Sequence, residues 1–240
     1  MIMNTNDNKD ILRTWRKVFN RDYSSISIHS LLWRFKYFTA PIYETEILLP
    51  DKGDILDLGC GEGNYCRFIS EVSSDRNILG LDINNERITR AIGDFNNNKN
   101  IKYICSSIHE IDESCLFDAI VIHHVLYLIE HREQIRLLKK CFEILRPGGK
   151  LVILSLDIKQ PFFNVLIHSM FYGISAITTI AKRYLGISTE RLTGIRLNKP
   201  TYLKDTDYIE IMNVIGFKLD KITENNHFPL PYLILCFKKH

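Results

Sequence analysis

Gly59, Gly61 and Gly63 stand on alternate positions just after Asp57, in the stretch ILDLGCGEGNY at residues 55–65. A short apolar run that ends in an acid and turns through glycines into a helical segment sets backbone amides at the carboxyl edge of a parallel sheet. Ligands of open α/β folds bind at that edge. The dinucleotide fingerprint G-x-G-x-x-G needs its third glycine at residue 64, which is Asn64, so a pyrophosphate matches poorly. Glu62 adds a negative charge beside the loop, which repels phosphate and suits a ligand with a cationic centre. Asp82 ends the run NILGLD, and a carboxylate there either accepts both hydroxyls of a ribose or caps the helix that follows. His123 and His124 close a further apolar run, FDAIVIH at 117–123 plus one residue. An imidazole at a strand end is either a general base for a phenol or alcohol or a hydrogen-bonded packing residue. Neighbouring strand residues point to opposite faces, so at most one of the two faces a common ligand. His109 and His131 add no metal-ligand spacing, and no metal is expected.

These groups need a scaffold, and the apolar patterning supplies one. From residue 54 onward, short apolar runs alternate with helical spacing, which predicts stacked βαβ units on a parallel sheet. Strands are expected at 54–58, 77–82, 101–105, 117–123 and 150–156, with helices near 64–72, 84–93 and 132–145. The last of these helices should stop at RPGG, with a glycine in the left-handed cap. A helix near 204–215, a strand near 217–223 and a final strand from Tyr232 to Phe237 complete the pattern. Residues 1–49, rich in Trp, Phe and Tyr, read as a helical cap or lid outside a domain spanning 50–240. The 240 residues are 45% hydrophobic, and 31 basic against 28 acidic side chains leave a formal charge of +3. That balance excludes a uniformly basic nucleic-acid-binding surface. The polar start MIMNTNDNKD has no apolar signal core, and the six cysteines form no C-x-x-C pair, so a cytoplasmic chain with reduced thiols is expected.

Four segments in this order, ILDLGCGEG (55–63), LDIN (81–84), FDAIVIHHVLYLI (117–129) and ILRPGGKLVI (144–153), resemble the class I S-adenosylmethionine-dependent methyltransferases, in particular their small-molecule, type 11-like members. The resemblance spans roughly residues 50–157. It implies a Rossmann-like α/β fold with a seven-stranded, mostly parallel sheet whose last strand is antiparallel. It also implies S-adenosylmethionine as cofactor, S-adenosylhomocysteine as product and no metal. Carried over position by position, Asp57 and the loop at Gly59, Cys60 and Gly61 would hold the methionine part and Asp82 the ribose, with Ile83 against the adenine. The family often has an Asp after the third strand for the adenine amino group; here the stretch is CSSIHE, so Ser106 or Ser107 stands in, followed by Ile108. His123 would lie beside the cofactor, and His123 or His124 would act as base.

The acceptor is expected to be small and hydrophobic, with oxygen slightly favoured because of the histidines. The alternatives are a lipid or quinone methylated at a membrane, and a non-catalytic protein that binds S-adenosylmethionine. Residues 160–181 hold no Asp, Glu, Lys or Arg, and residues 182–204 are cationic. Such a pair, within a substrate-shaping insertion at 157–203, suits burial under the N-terminal helices, a homodimer interface, a hydrophobic acceptor or peripheral contact with a membrane through 160–204. Nucleic acid is not the expected acceptor: base-methylating members carry Pro-Pro-aromatic where this chain reads HHVLYL.

Overall fold

The computed structural model describes residues 5–22, 41–93, 98–156, 203–225 and 232–240. The expected aromatic stretch at 23–40 and the uncharged and cationic segments at 160–202 lie outside the described residues. Helices α1 (Thr5–Asp22) and α2 (Ile42–Glu46) precede strand β1 (Gly53–Leu58). There follow α3 (Asn64–Val72), β2 (Arg76–Asp82), α4 (Asn85–Gly93), β3 (Ile101–Cys105), β4 (Phe117–His123), α5 (His131–Ile144), β5 (Leu145–Leu156), α6 (Asp205–Ile215), β6 (Phe217–Asn225) and β7 (Tyr232–Lys239). The sheet order is β3-β2-β1-β4-β5-β7-β6, with β1 to β5 parallel and β7 antiparallel to both of its neighbours, as the resemblance implied.

The central strands are apolar on both faces because helices cover both faces. Ile55 and Leu56 point to opposite sides of β1, yet both are fully buried. One face packs under α1 and α3, where Trp15 meets Phe68 edge-on at 5.1 Å. Lys17 and Arg21 of α1 reach Glu71 of α3 at 3.1 and 2.5 Å. The other face packs under α5 and α6 through Leu138, Cys141, Tyr208 and Met212. Among the described residues, no helix is long and apolar enough to cross a membrane.

The expected glycine cap on α5 is corrected by the structure. The helix ends at Ile144, Leu145 is already extended, and the chain enters β5 without a cap loop. The residues RPGG instead form a bulge: Phe117 pairs with Leu145, while Ala119, two residues on, pairs with Lys150. Gly148 takes its left-handed φ of 78° within that bulge. The bulge brings Arg146 to Asp118 at 2.8 Å and Asp54 at 2.7 Å, joining β1, β4 and β5 at the foot of the sheet. The carbonyls at the end of α5 are met from β7, where Lys239 Nζ donates to Phe142 O and Leu145 O at 2.5 and 2.7 Å.

Arg76, at the start of β2, is buried, and its guanidinium pairs with buried Glu46 of α2 at 2.7 Å. It also donates to Pro50 O and Ile69 O, so one side chain holds α2, the entry to β1 and the end of α3 together. Removing one partner strands the other charge, and Glu46→Gln is expected to lower unfolding stability by about 3–5 kcal/mol in urea titrations. The apolar pair Glu46→Leu with Arg76→Met should cost less than either single change.

Candidate active site

β1 lies between β2 and β4, and its carboxyl end is where the connections leave in opposite directions. The glycine loop leaves β1 there and folds back onto β2. Gly59 N–H and Cys60 N–H both donate to Leu81 O, at 2.7 and 3.1 Å, and Gly61 N–H donates to Asp82 Oδ2 at 2.9 Å. Three loop amides are thus spent on β2, which opposes a phosphate cradle. All three glycines have positive φ, but they answer to different constraints. A β-carbon on Gly59 would collide with Val125, and one on Gly63 with the Tyr103 ring. At Gly61 the nearest other atom lies 4.0 Å from such a β-carbon, on the Arg87 guanidinium, so this glycine makes the turn and leaves open space in front of it. Glu62, expected to favour a cationic ligand, instead pairs with Arg90 of α4 at 2.7 Å, and its charge is compensated.

Asp57 and Asp82 are both buried at this edge. Cys66 Sγ donates to Asp57 Oδ2 at 3.1 Å. Burial pushes the Asp57 carboxyl up from its ordinary 3.8 to about 7, and the nearby Asp82 charge adds to the rise. Neither carboxylate has an ion pair with a basic side chain among the described residues. Asp82 Oδ1 accepts from Asn84 N–H at 2.8 Å while Oδ2 holds Gly61, so the carboxylate is fixed in place. Asn84 Oδ1 accepts from Arg87 N–H at 3.2 Å, which gives the capping of α4 to Asn84 and frees Asp82 from that role.

Beyond Asp82, Ile83 is 81% exposed, an apolar side chain standing open at the sheet edge. Ser107 Oγ accepts from His109 N–H at 3.3 Å and caps the short turn Ile108–Glu110, within which Ile108 is buried. Ser106 Oγ donates to Glu110, so this neighbourhood does contain a carboxylate, four residues later in the chain. The spacing of CSSIHE gave no sign of it, because the turn that folds Glu110 back is not visible as a pattern.

The two histidines part company at the end of β4. His123 stays in the strand, and its ring lies 4.3 Å from that of Tyr65, in the first turn of α3, edge to face. His124 leaves the strand with φ 58°, donates its backbone N–H to Leu154 O at 3.0 Å, and is buried beside Tyr232 and Tyr127 at 5.6 and 6.3 Å. His123 thus packs against the first turn of α3, the helix that follows the glycine loop, and His124 sits among aromatic packing. Gln134 of α5, fully buried, was not singled out by its spacing. Its Nε2 donates to Leu126 O and Ile129 O at 2.9 and 3.0 Å and so holds the segment that follows the histidines.

Comparison with known proteins follows this geometry. A family model described as a methyltransferase domain matches residues 55–149. YqeM of Bacillus subtilis (strain 168), provisionally named a methyltransferase, is 31% identical over 120 residues, which cover 49% of this chain and 47% of that protein. The match thus spans about half the length of this curated relative. Magnesium protoporphyrin IX methyltransferase (ChlM) from Synechocystis PCC 6803, solved with bound SAH, superposes with a TM-score of 0.63 at 13% identity, over 97% of this chain and 96% of that one. An S-adenosylmethionine dependent methyltransferase from Mesorhizobium loti gives 0.58 at 18% identity, over 82% and 97%. At such identities the structural likeness speaks for the fold. Together with the matched segment, it identifies residues 55–149 as a methyltransferase domain, on a fold shared with S-adenosylmethionine-dependent methyltransferases.

Proposed function

We propose that the chain transfers a methyl group from S-adenosylmethionine to a small, hydrophobic acceptor, with an oxygen nucleophile favoured. The observation that carries this reading is the pair of buried carboxylates, Asp57 and Asp82, beside the open space in front of Gly61. Asp57 fits the ammonium of the methionine part, because a buried acid without a basic partner is stabilised by a cation brought in by the ligand. Asp82, fixed by two backbone amides, keeps lone pairs for the ribose hydroxyls. Ile83 would offer an apolar surface to the adenine, and Ser107, Ile108 and Glu110, in the turn after β3, are the groups that would meet it from that turn.

When bound, the cofactor supplies an electrophilic methyl on a sulfonium sulfur. The protein's part is alignment and exclusion of water, since positive charge on sulfur disappears as the methyl moves. His123, held edge-on against Tyr65 at the strand end, is the group that would take the proton from a phenol or alcohol. His124, buried among aromatic rings, would shape the wall of the site. The uncharged stretch 160–181 supports a second reading, in which the acceptor is a lipid or quinone presented by a membrane.

Calorimetric titration with S-adenosylmethionine and S-adenosylhomocysteine tests the reading; absence of binding by both would overturn it. Affinity should drop as pH falls below about 7, approaching tenfold per unit, because binding then has to expel the Asp57 proton. Asp57→Asn should remove that pH dependence and weaken binding by about 10–100-fold.

The same substitution is expected to stabilise the ligand-free protein. With its folded value above the unfolded one, the Asp57 carboxyl favours the fold at low pH, and that contribution is lost as pH rises from about 4 to about 7. At pH 8 Asp57→Asn should therefore gain on the order of 2–4 kcal/mol in urea unfolding.

For the base, His123→Gln should lower kcat by about 10²–10⁴-fold with cofactor affinity unchanged. His124→Gln should affect stability more than kcat. Turnover that survives His123→Gln rules out proton transfer by that residue.

A further inference from the structure

A concavity lies on the α1 face of the sheet, lined by none of the glycine-loop residues. A cavity of about 390 Å³ opens between α1, α2 and the edge pair β6–β7. Its apolar lining comes from Leu12, Ile47, Leu48 and Ile234, and Lys9 and Lys221 flank it from opposite elements. The register locates it: His123 pairs with Leu154, Leu154 with Ile234, and Ile234 with Thr223. Ile234 therefore sits two strands from His123 on the same face, about 10 Å away.

The charged groups that line the cavity are two lysines, Lys9 and Lys221, against one carboxylate, Glu44. Lys150 of β5, Lys238 of β7 and Lys218 of β6 are direct cross-strand neighbours, and alternation puts them on the same face as Ile234 and Cys236. Lys221 pairs with Cys236 on that face, across the bulge in β6. Lys150 Nζ donates to Leu48 O at 3.1 Å, which anchors one ammonium behind the cavity wall. Among the described residues, Lys9, Lys218, Lys221 and Lys238 form no ion pair. The acids nearby are Asp220, whose Oδ2 lies 3.8 Å from Cys236 Sγ, and Glu44, which accepts from Tyr43 OH at 3.3 Å. Like charges directly opposed across strands oppose folding. Three in one row, on the same sheet face as the cavity and further along it, add to the positive charge that Lys9 and Lys221 bring to the lining.

We infer that this cavity binds an amphipathic anion, an alkyl or acyl chain ending in a phosphate or carboxylate. The chain would lie on Leu12, Ile47, Leu48 and Ile234, and the head between Lys9 and Lys221. A cavity of this volume matches a small molecule. Thr223 adds a polar group to the rim beside Lys221 on β6.

The test uses the full chain and decyl phosphate, kept below its micelle-forming concentration, in calorimetric titration. One-to-one binding is expected, weakened by added salt, with inorganic phosphate at least tenfold weaker and decyltrimethylammonium silent. Lys9→Gln with Lys221→Gln should weaken decyl phosphate at least tenfold while leaving Tm and S-adenosylmethionine binding unchanged. Thr223→Trp, which fills the cavity from the edge strand, should abolish it. No binding, equal binding of the cationic amphiphile, or unchanged affinity in the lysine variant would overturn the site. Binding seen only with anionic vesicles would overturn it as well, since that result describes a membrane surface and not a cavity.

Discussion

A carboxylate in the interior, without a cation of its own, is the constraint around which this structure is arranged. Asp57 lies near the end of the central strand, where sheet and helices exclude water, and burial, helped by the Asp82 charge, carries its pKa up to about 7. Among the described residues, its hydrogen-bond donor is the Cys66 thiol, which neutralises nothing. An arginine at this point would relieve the cost and would also occupy the place a cationic ligand needs. The fold keeps the acid exposed to its cost and gathers compensation elsewhere, in the buried Arg76–Glu46 pair and in the continuous apolar cores on both faces.

The two ends of the sheet show the contrast directly. At its foot, Asp54 and Asp118 stand one on β1 and one on the neighbouring β4, as Asp57 and Asp82 stand on β1 and the neighbouring β2 at its head. There the RPGG bulge delivers Arg146 to both acids, and Asp54 is held below its usual range, by the Asn77 hydrogen bond first and by Arg146 next. At the head no basic side chain among the described residues pairs with Asp57, which moves the other way. Acids on adjacent strands are stabilising where the chain closes on itself and costly where it stays open. This asymmetry marks the working end without reference to any ligand.

The strands were legible because a parallel sheet covered on both faces must be built from short apolar runs, and IKYIC and FDAIVIH begin and end where their spacing predicts. The glycine loop was legible because its turn demands positive φ at successive alternate residues. What the spacing hid are contacts that depend on distant parts of the chain. Glu62 looked like an uncompensated charge because Arg90 lies 28 residues on. RPGG looked like a helix cap because the lysine that meets the α5 carbonyls comes from β7, 97 residues after Phe142. Gln134 looked like one more polar residue of an amphipathic helix, although both carbonyls it holds belong to the segment after the histidines.

The glycines tie these observations into one mechanical unit. Gly59 lacks a side chain because Val125, one residue past His124, fills that space, so the cofactor loop and the histidine segment are packed against each other. Leu81 O and Asp82 bind the other side of the loop to β2, and Gln134 binds the histidine segment to α5. The loop is therefore clamped from two strands and, through Val125, from a helix, with Gly61 alone facing open space. Methyl transfer in line tolerates little misplacement of donor against acceptor. A loop fixed on both sides and His123 fixed by Tyr65 would meet that demand through packing, before any ligand contributes to the order of the site.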